Sequence, residues 1–145
     1  MEKPARRRKA KRAVLAAGAM AAGALTLKRV SPVHVEGESM APLLPNGALV
    51  AVAPLRDAPQ LGAIVVVLRP DGSEHLKRVV AGPGERFVGP AGLTVTLGPD
   101  EYAVMGDNRG ASTDSRNYGP VAQRDIVAVA RVCYWPPRAW RLLSG

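Results

Sequence analysis

Thirteen prolines and fifteen glycines spread along 145 residues leave little room for a long helix after the first thirty positions. Between these breakers stand short apolar runs rich in valine. Leu49 to Val52 and Ala63 to Leu68 are bounded by Pro and Gly, as strands are. His75 to Val80 alternates, with Lys77 and Val79 on one face and Leu76, Arg78 and Val80 on the other. Arg86 to Val88, Leu93 to Leu97, Glu101 to Met105 and Ile126 to Tyr134 complete the set. With 47% apolar residues the chain can build one modest core. Residues 30–145 are predicted to form a mostly β, single, loop-rich antiparallel domain.

The formal charge of +8 is distributed unevenly. Residues 1–29 carry nine Lys or Arg against the single Glu2, whereas residues 30–145 carry eleven basic and eleven acidic side chains. A nucleic-acid-binding face needs its excess in the folded part, so no nucleic-acid partner is expected. The charge points to the cytoplasmic side of a membrane. Residues 1–12 read as a basic cytoplasmic N-terminus and residues 13–29 as a signal-anchor helix. Its uncharged stretch, Ala13 to Leu27, is about 22 Å long as a helix, short of a hydrocarbon core of about 30 Å. Snorkelling of the flanking Lys and Arg and local thinning of the bilayer can close that gap. A removable signal peptide is the rival reading, because Ala22-Gly23-Ala24 is a small-x-small sequence. An amphipathic surface helix lacks its polar face. The anchor is preferred, with the body exported. Cys133 is the sole cysteine, which excludes an intramolecular disulfide, and it reads as a buried strand residue.

Three segments carry the chemistry. Ser39 follows Gly37, which permits a tight backbone approach, and precedes Met40 and Pro42, which stiffen the turn and offer an apolar rim for a substrate. A serine hydroxyl needs a base to become a nucleophile. His34 and His75 are the two histidines, and neither has a carboxylate at an orienting position, so a Ser-His-Asp triad is disfavoured. Lys77 can act as the base only when neutral, and a reference pKa of about 10.4 leaves roughly one molecule in 2,500 neutral at pH 7. Burial lowers that value, and a strand position among Leu76, Val79 and Val80 suits it. The plainer alternative is an exposed lysine paired with Glu74 or Glu85. Arg78 points the other way and needs a carboxylate, for which Asp107 and Asp114 are candidates. From Gly106 to Arg116, the residues Asp107, Asn108, Arg109, Ser112, Asp114, Ser115 and Arg116 crowd together as an interlocking network does.

In this order the segments resemble bacterial type I signal peptidases, membrane-anchored Ser-Lys serine peptidases of the S26 family. The resemblance rests on Ser39-Met40-Ala41-Pro42, on Lys77-Arg78-Val79-Val80-Ala81-Gly82-Pro83-Gly84 and on the loop Gly106 to Arg116, with Trp135-Pro136-Pro137 similar to the family's last strand. It covers about Val33 to Trp140. It implies a domain of the signal peptidase/LexA-like type, with Ser39 as nucleophile, Lys77 as general base and Ser112 orienting the Lys77 amine. It further implies an oxyanion contact from the Ser39 backbone N–H and salt bridges Asp107–Arg78 and Asp114–Arg116. Gly37 stands where some members place a second oxyanion hydroxyl, and Leu43-Leu44 replaces a common Thr-Leu. The short interval from Lys77 to Gly106 implies a compact member without an inserted subdomain.

The implied substrates are signal-peptide-bearing preproteins with small residues one and three positions before the cut. The implied setting is a plasma or inner membrane crossed once, with the N-terminus cytoplasmic, the enzyme a monomer, and neither cofactor nor metal required. Alternatives are a conjugative-transfer relative of narrow substrate range, a self-cleaving repressor, and a membrane-tethered β module without activity. Residues 1–29 are too short and alanine-rich for the repressor's DNA-binding domain.

Overall fold

A computed structural model of the chain describes residues 30–144. Ten strands follow one another: β1 (Ser31–His34), β2 (Leu49–Pro54), β3 (Ile64–Leu68), β4 (Glu74–Ala81), β5 (Arg86–Val88), β6 (Thr94–Thr96), β7 (Glu101–Met105), β8 (Val121–Ala122), β9 (Ile126–Trp135) and β10 (Arg141–Leu142). Seven of them run in the order β1-β2-β9-β3-β4-β7-β8, with β10 added to β9, and β5 pairs with β6 in a separate ribbon. Every pairing is antiparallel. The fold is thus mostly β, as expected, and the one α-helix among the described residues is α1 (Ser115–Tyr118). The expected anchor, residues 13–29, and the basic segment, residues 1–12, lie outside the described residues. Among those described, no helix is long and apolar enough to cross a membrane.

Valine-rich β3 is buried on both faces, which explains its unbroken apolar sequence. Ile64 and Val66 join one core with Met40, Leu44, Val50 and Cys133, while Val65 and Val67 join a second with Val79, Val104, Val121 and Val129. Strand β9 serves both cores. Its register shifts opposite β3 between Val66 and Val67 and opposite β2 between Ala51 and Val52. Each shift inserts a residue and inverts the alternation of faces, so Ile126 and Val129 reach the second core while Ala130 and Cys133 reach the first. Phe87, Leu97, Ala81 and Ala103 form a smaller third cluster under the β5–β6 ribbon.

Two of the free strand edges border one cleft. Strand β1 pairs with β2 alone. Strand β4 pairs with β3 along Glu74 to Arg78 but with β7 only from Arg78 onward, so Glu74 to Lys77 has one open side. Residues Pro32 to Met40 and Glu74 to Lys77 wall the same cleft, of about 540 Å³.

Candidate active site

The turn from Glu36 to Pro45 carries Ser39 out of β1. Gly37 sits at φ +83°, a left-handed conformation that a side chain would strain, and its N–H donates to Asn46 Oδ1 at 3.0 Å. The turn continues through a cis Ala41–Pro42 peptide. Leu44 N–H donates to Met40 O, and Asn108 N–H donates to Ser39 O at 2.9 Å, fixing the nucleophile turn against the loop that follows β7. Among the described residues no acceptor takes the Ser39 N–H. Met40 is fully buried in the first core rather than exposed at an apolar rim. Its unbranched side chain fills the space beneath the cleft, where burial of a methionine stabilises by about 1.5–3 kcal/mol.

Lys77 occupies the face of β4 that it shares with Val79, at the end of the second core. It is 4% exposed. Its Nζ donates to Ser39 Oγ at 3.0 Å, joining residues 38 positions apart. Neither Glu74 nor Glu85 pairs with it: Glu74 is exposed, and Glu85 instead accepts from Gly82 N–H. Burial pushes the Lys77 amine below the usual lysine range, although the Asp114 carboxylate pulls it back up.

On the opposite face, Arg78 is gripped bidentately by Asp107, with Nε to Oδ1 and Nη2 to Oδ2 both at 2.7 Å, while Nη1 donates to Gly62 O at 2.7 Å. Of the two carboxylates considered for Arg78, Asp107 is the partner.

The loop from Gly106 is organised by Asp114, whose side chain is wholly buried. It accepts from Gly106 N–H at 3.0 Å, Ser112 Oγ at 2.7 Å and Arg116 Nε at 2.9 Å. It also caps α1 by accepting from Arg116 N, while Asn117 reaches back to Asp114 N–H in a capping box. Burial pushes the Asp114 carboxyl up, but Arg116, Gly106 and Ser112 together hold it well below the ordinary carboxylate range.

Ser112 therefore differs from expectation. Its hydroxyl proton goes to Asp114, a carboxylate that can only accept, and among the described residues no hydrogen bond joins Ser112 to Lys77. Any influence on the amine runs through the hydroxyl's remaining lone pairs and through Asp114.

Two contributors were not legible in the sequence. A methyl group on Gly106 would collide with the Ser112 side chain and lie 2.6 Å from the Ser39 carbonyl oxygen. Glycine is thus demanded by a close approach between two distant segments, which no spacing announces. His75 lines the cleft beside Lys77. Its Nε2 faces Ser73 Oγ at 3.3 Å, and that hydroxyl donates to Asp71 at 2.6 Å, so Nε2 carries the proton. Among the described residues no group of His, Cys, Asp and Glu could hold a metal ion.

This geometry supplies a desolvated amine touching a hydroxyl, an unengaged backbone N–H on the same residue, and a cleft of mixed polar and apolar lining with open strand edges. Such a set can activate a serine against an acyl group. The family model described as "Signal peptidase, peptidase S26" matches residues 6–89 and 87–135. The chain is 33% identical over 121 residues to the Mitochondrial ATP-independent inner membrane protease subunit 1a of Arabidopsis thaliana, covering 74% of this chain and 72% of the relative. It is 34% identical over 132 residues to the Mitochondrial inner membrane protease subunit 2 of Mus musculus, covering 82% and 75%. It is 27% identical over 148 residues to the Probable signal peptidase I-1 of Synechocystis, covering 79% and 76%. With a buried lysine on a serine hydroxyl and a family match along nearly the whole body, the chain belongs to the signal peptidase family S26 of serine endopeptidases.

Proposed function

We propose that this protein removes N-terminal signal peptides from exported preproteins, with Ser39 as nucleophile and Lys77 as general base. The observation that carries this reading is the 3.0 Å contact between Ser39 Oγ and an almost fully buried Lys77 Nζ. As Oγ bonds to the scissile carbonyl carbon, neutral Lys77 takes the hydroxyl proton. The carbonyl oxygen becomes an oxyanion that the Ser39 N–H stabilises. Collapse breaks the C–N bond, Lys77 returns the proton to the departing amine, and an acyl-enzyme remains. Water then adds to the ester carbon, giving its proton to Lys77, and Ser39 leaves as the alcohol when that proton is handed back.

The substrate enters as an extended strand. A peptide laid between β1 and the open side of Glu74 to Lys77 gains backbone hydrogen bonds from two edges. Alternate side chains then face Val33, Val35 and Leu76, and this shallow apolar wall suits small residues at the first and third positions before the cut. We further propose that residues 13–29 anchor the enzyme in a plasma or inner membrane, with residues 1–12 cytoplasmic and residues 30–145 as the extracytoplasmic peptidase domain. Tethering raises the local concentration of preproteins whose own apolar segments lie in the bilayer.

The test is cleavage of a preprotein-like peptide ending its signal in Ala-x-Ala. Full-length protein in membranes and its Lys77→Ala variant are compared from about pH 6 to about pH 10. Activity that rises with an apparent pKa below that of free lysine and vanishes in the variant supports the assignment. Persistent cleavage by Lys77→Ala sinks the lysine base, and no cleavage by folded wild type sinks the general signal-peptide substrate.

A further inference from the structure

The oxyanion donor, the Ser39 N–H, belongs to the peptide unit between Glu38 and Ser39, so the turn around that unit sets its direction. Glu38 O accepts from Ala41 N–H at 3.1 Å. Because the C=O and N–H of a trans peptide point in opposite directions, the Ser39 N–H faces away from this bond. On its C-terminal side the unit is held twice, by Asn108 N–H donating to Ser39 O at 2.9 Å and by Met40 in the first core. On its N-terminal side the nearest tie is one side chain. Past β1 the backbone ladder continues, with Val35 N–H donating to Ala48 O and Gly47 N–H to Val35 O, both at 2.8 Å. The next rung towards the nucleophile is Gly37 N–H on Asn46 Oδ1 at 3.0 Å, joining residues nine positions apart.

Neither its own turn nor packing accounts for Asn46. Ala48 N–H donates to Pro45 O at 3.0 Å, and Gly47, third in this turn, has φ +83°, whereas Asn46, second in it, is not in the left-handed region. This is a type II turn, whose second position accepts proline and asks for no side-chain oxygen. Asn46 is also solvent-exposed. What it contributes is the acceptor for Gly37.

We propose that Asn46 is a positioning residue for catalysis: by accepting the Gly37 N–H it fixes the Glu38–Ser39 peptide, so that the Ser39 N–H stays aimed at the oxyanion. This inference rests on the Ser39–Lys77 assignment and deepens it. An oxyanion donor acts only within about 2.7–3.1 Å of the developing charge, and Gly37, lacking a side chain, has the least restricted dihedrals of the turn. Holding its N–H limits their swing. A substrate docked along β1 and β4 makes its ground-state contacts away from this tie, so losing the tie should reach the transition state more than substrate binding.

The test uses full-length membrane-embedded protein and the Ala-x-Ala peptide, comparing wild type, Asn46→Ala, Asn46→Pro and Asn46→Asp, with Lys77→Ala as control. Each is measured for kcat, KM, thermal unfolding, binding of the cleaved signal-peptide product and inhibition by the corresponding peptide aldehyde. Ser39 Oγ adds to the aldehyde carbon, its proton passing to Lys77, and the carbonyl oxygen becomes the oxyanion of a hemiacetal, whereas the product peptide docks without forming a bond. Asn46→Ala should lower kcat and weaken the aldehyde by the same factor, about three- to tenfold, with KM and product binding changed by less than about twofold. Asn46→Pro, which favours the type II turn while removing the acceptor, should show the same loss in an equally stable protein. Asn46→Asp keeps an oxygen in place and should retain kcat to within about twofold. An unchanged kcat in Asn46→Pro overturns the proposal, as does a loss that Asn46→Asp shares or one that falls on KM and product binding instead. A higher kcat in Asn46→Ala also overturns it, because Asn46 would then be withholding the Gly37 N–H from the oxyanion. Should Asn46→Ala fail to fold, Asn46→Pro decides by the same split between aldehyde and product. Activity surviving in Lys77→Ala defeats the underlying dyad, whereas an inert Lys77→Ala with unchanged kcat in Asn46→Pro defeats this inference alone.

Discussion

Lys77 and Arg78 are neighbours on one strand, and the two faces of that strand treat them oppositely. Arg78 meets Asp107 in a bidentate pair and keeps its charge in a fully satisfied setting. Lys77 is more deeply buried, has no salt bridge among the described residues, and has a serine hydroxyl as its partner. The paired guanidinium keeps its charge, whereas burial lowers the pKa of an amine that has no carboxylate partner. One cation therefore holds the architecture and the other is prepared for proton transfer, and a one-residue step along β4 separates the roles.

Six substitutions probe that contrast, in descending order of effect. Ser39→Ala and Lys77→Ala should each lower kcat at least about a thousandfold while thermal unfolding shows a folded domain. Lys77→Arg should fail as well, because guanidinium stays charged at any working pH. Arg78→Ala should act on stability, costing about 2–3 kcal/mol in denaturant melts, since it strands Asp107. That figure lies below the cost of breaking a fully buried pair because both side chains retain some exposure.

Gly106→Ala links the two faces, since the new methyl group pushes on both the Ser39 carbonyl and Ser112. It should cost about 1–3 kcal/mol and lower kcat, because the nucleophile turn must shift. A variant of wild-type stability and rate would show that the loop and the turn are not locked together. The smallest effect has the opposite sign. Lys77→Met should stabilise the inactive protein by about 1 kcal/mol at pH 7, as replacing a buried polar group with an apolar one of similar volume can. The unfolded chain keeps the Lys77 proton up to its ordinary value of 10.5, whereas the fold releases it at lower pH. Wild-type stability therefore rises with pH through that window, and the advantage of Lys77→Met should shrink there. An advantage that grows towards alkaline pH would contradict a lysine whose pKa is lowered by burial.

The alternation in His75 to Val80 shows why part of this site was readable beforehand. Period two separates Lys77 from Arg78 whatever lies around them, and the density of polar side chains from Asp107 to Arg116 announces a network. The partners were less accessible. Nothing in the spacing distinguishes Asp107 from Asp114 as the carboxylate for Arg78, and the register of β4 on β7 is what pairs Arg78 with Met105, just before that loop. The short strands β1, β8 and β10 also lack a pattern of their own. Pro32 sits inside β1 and is tolerated because that strand is an edge. Met40 reads as an exposed rim residue from its position beside Ser39, yet the turn directs it into the first core. Ser112 was expected at the Lys77 amine, but a buried carboxylate two residues away captures its proton.

By itself the sequence determined the class of the fold, the partition of charge between the first 29 residues and a neutral body, and the set of groups able to do chemistry. These follow from local patterns, since periodicity, breakers and charge runs act over a few residues. Tertiary structure alone decided that Lys77 lies on Ser39 across 38 positions, that a wholly buried Asp114 is the carboxylate Arg116 holds, and that Gly106 must have no side chain. Those outcomes depend on strand register and on the register shifts along β9, and desolvation, which lowers the lysine's pKa, exists only once those surfaces close.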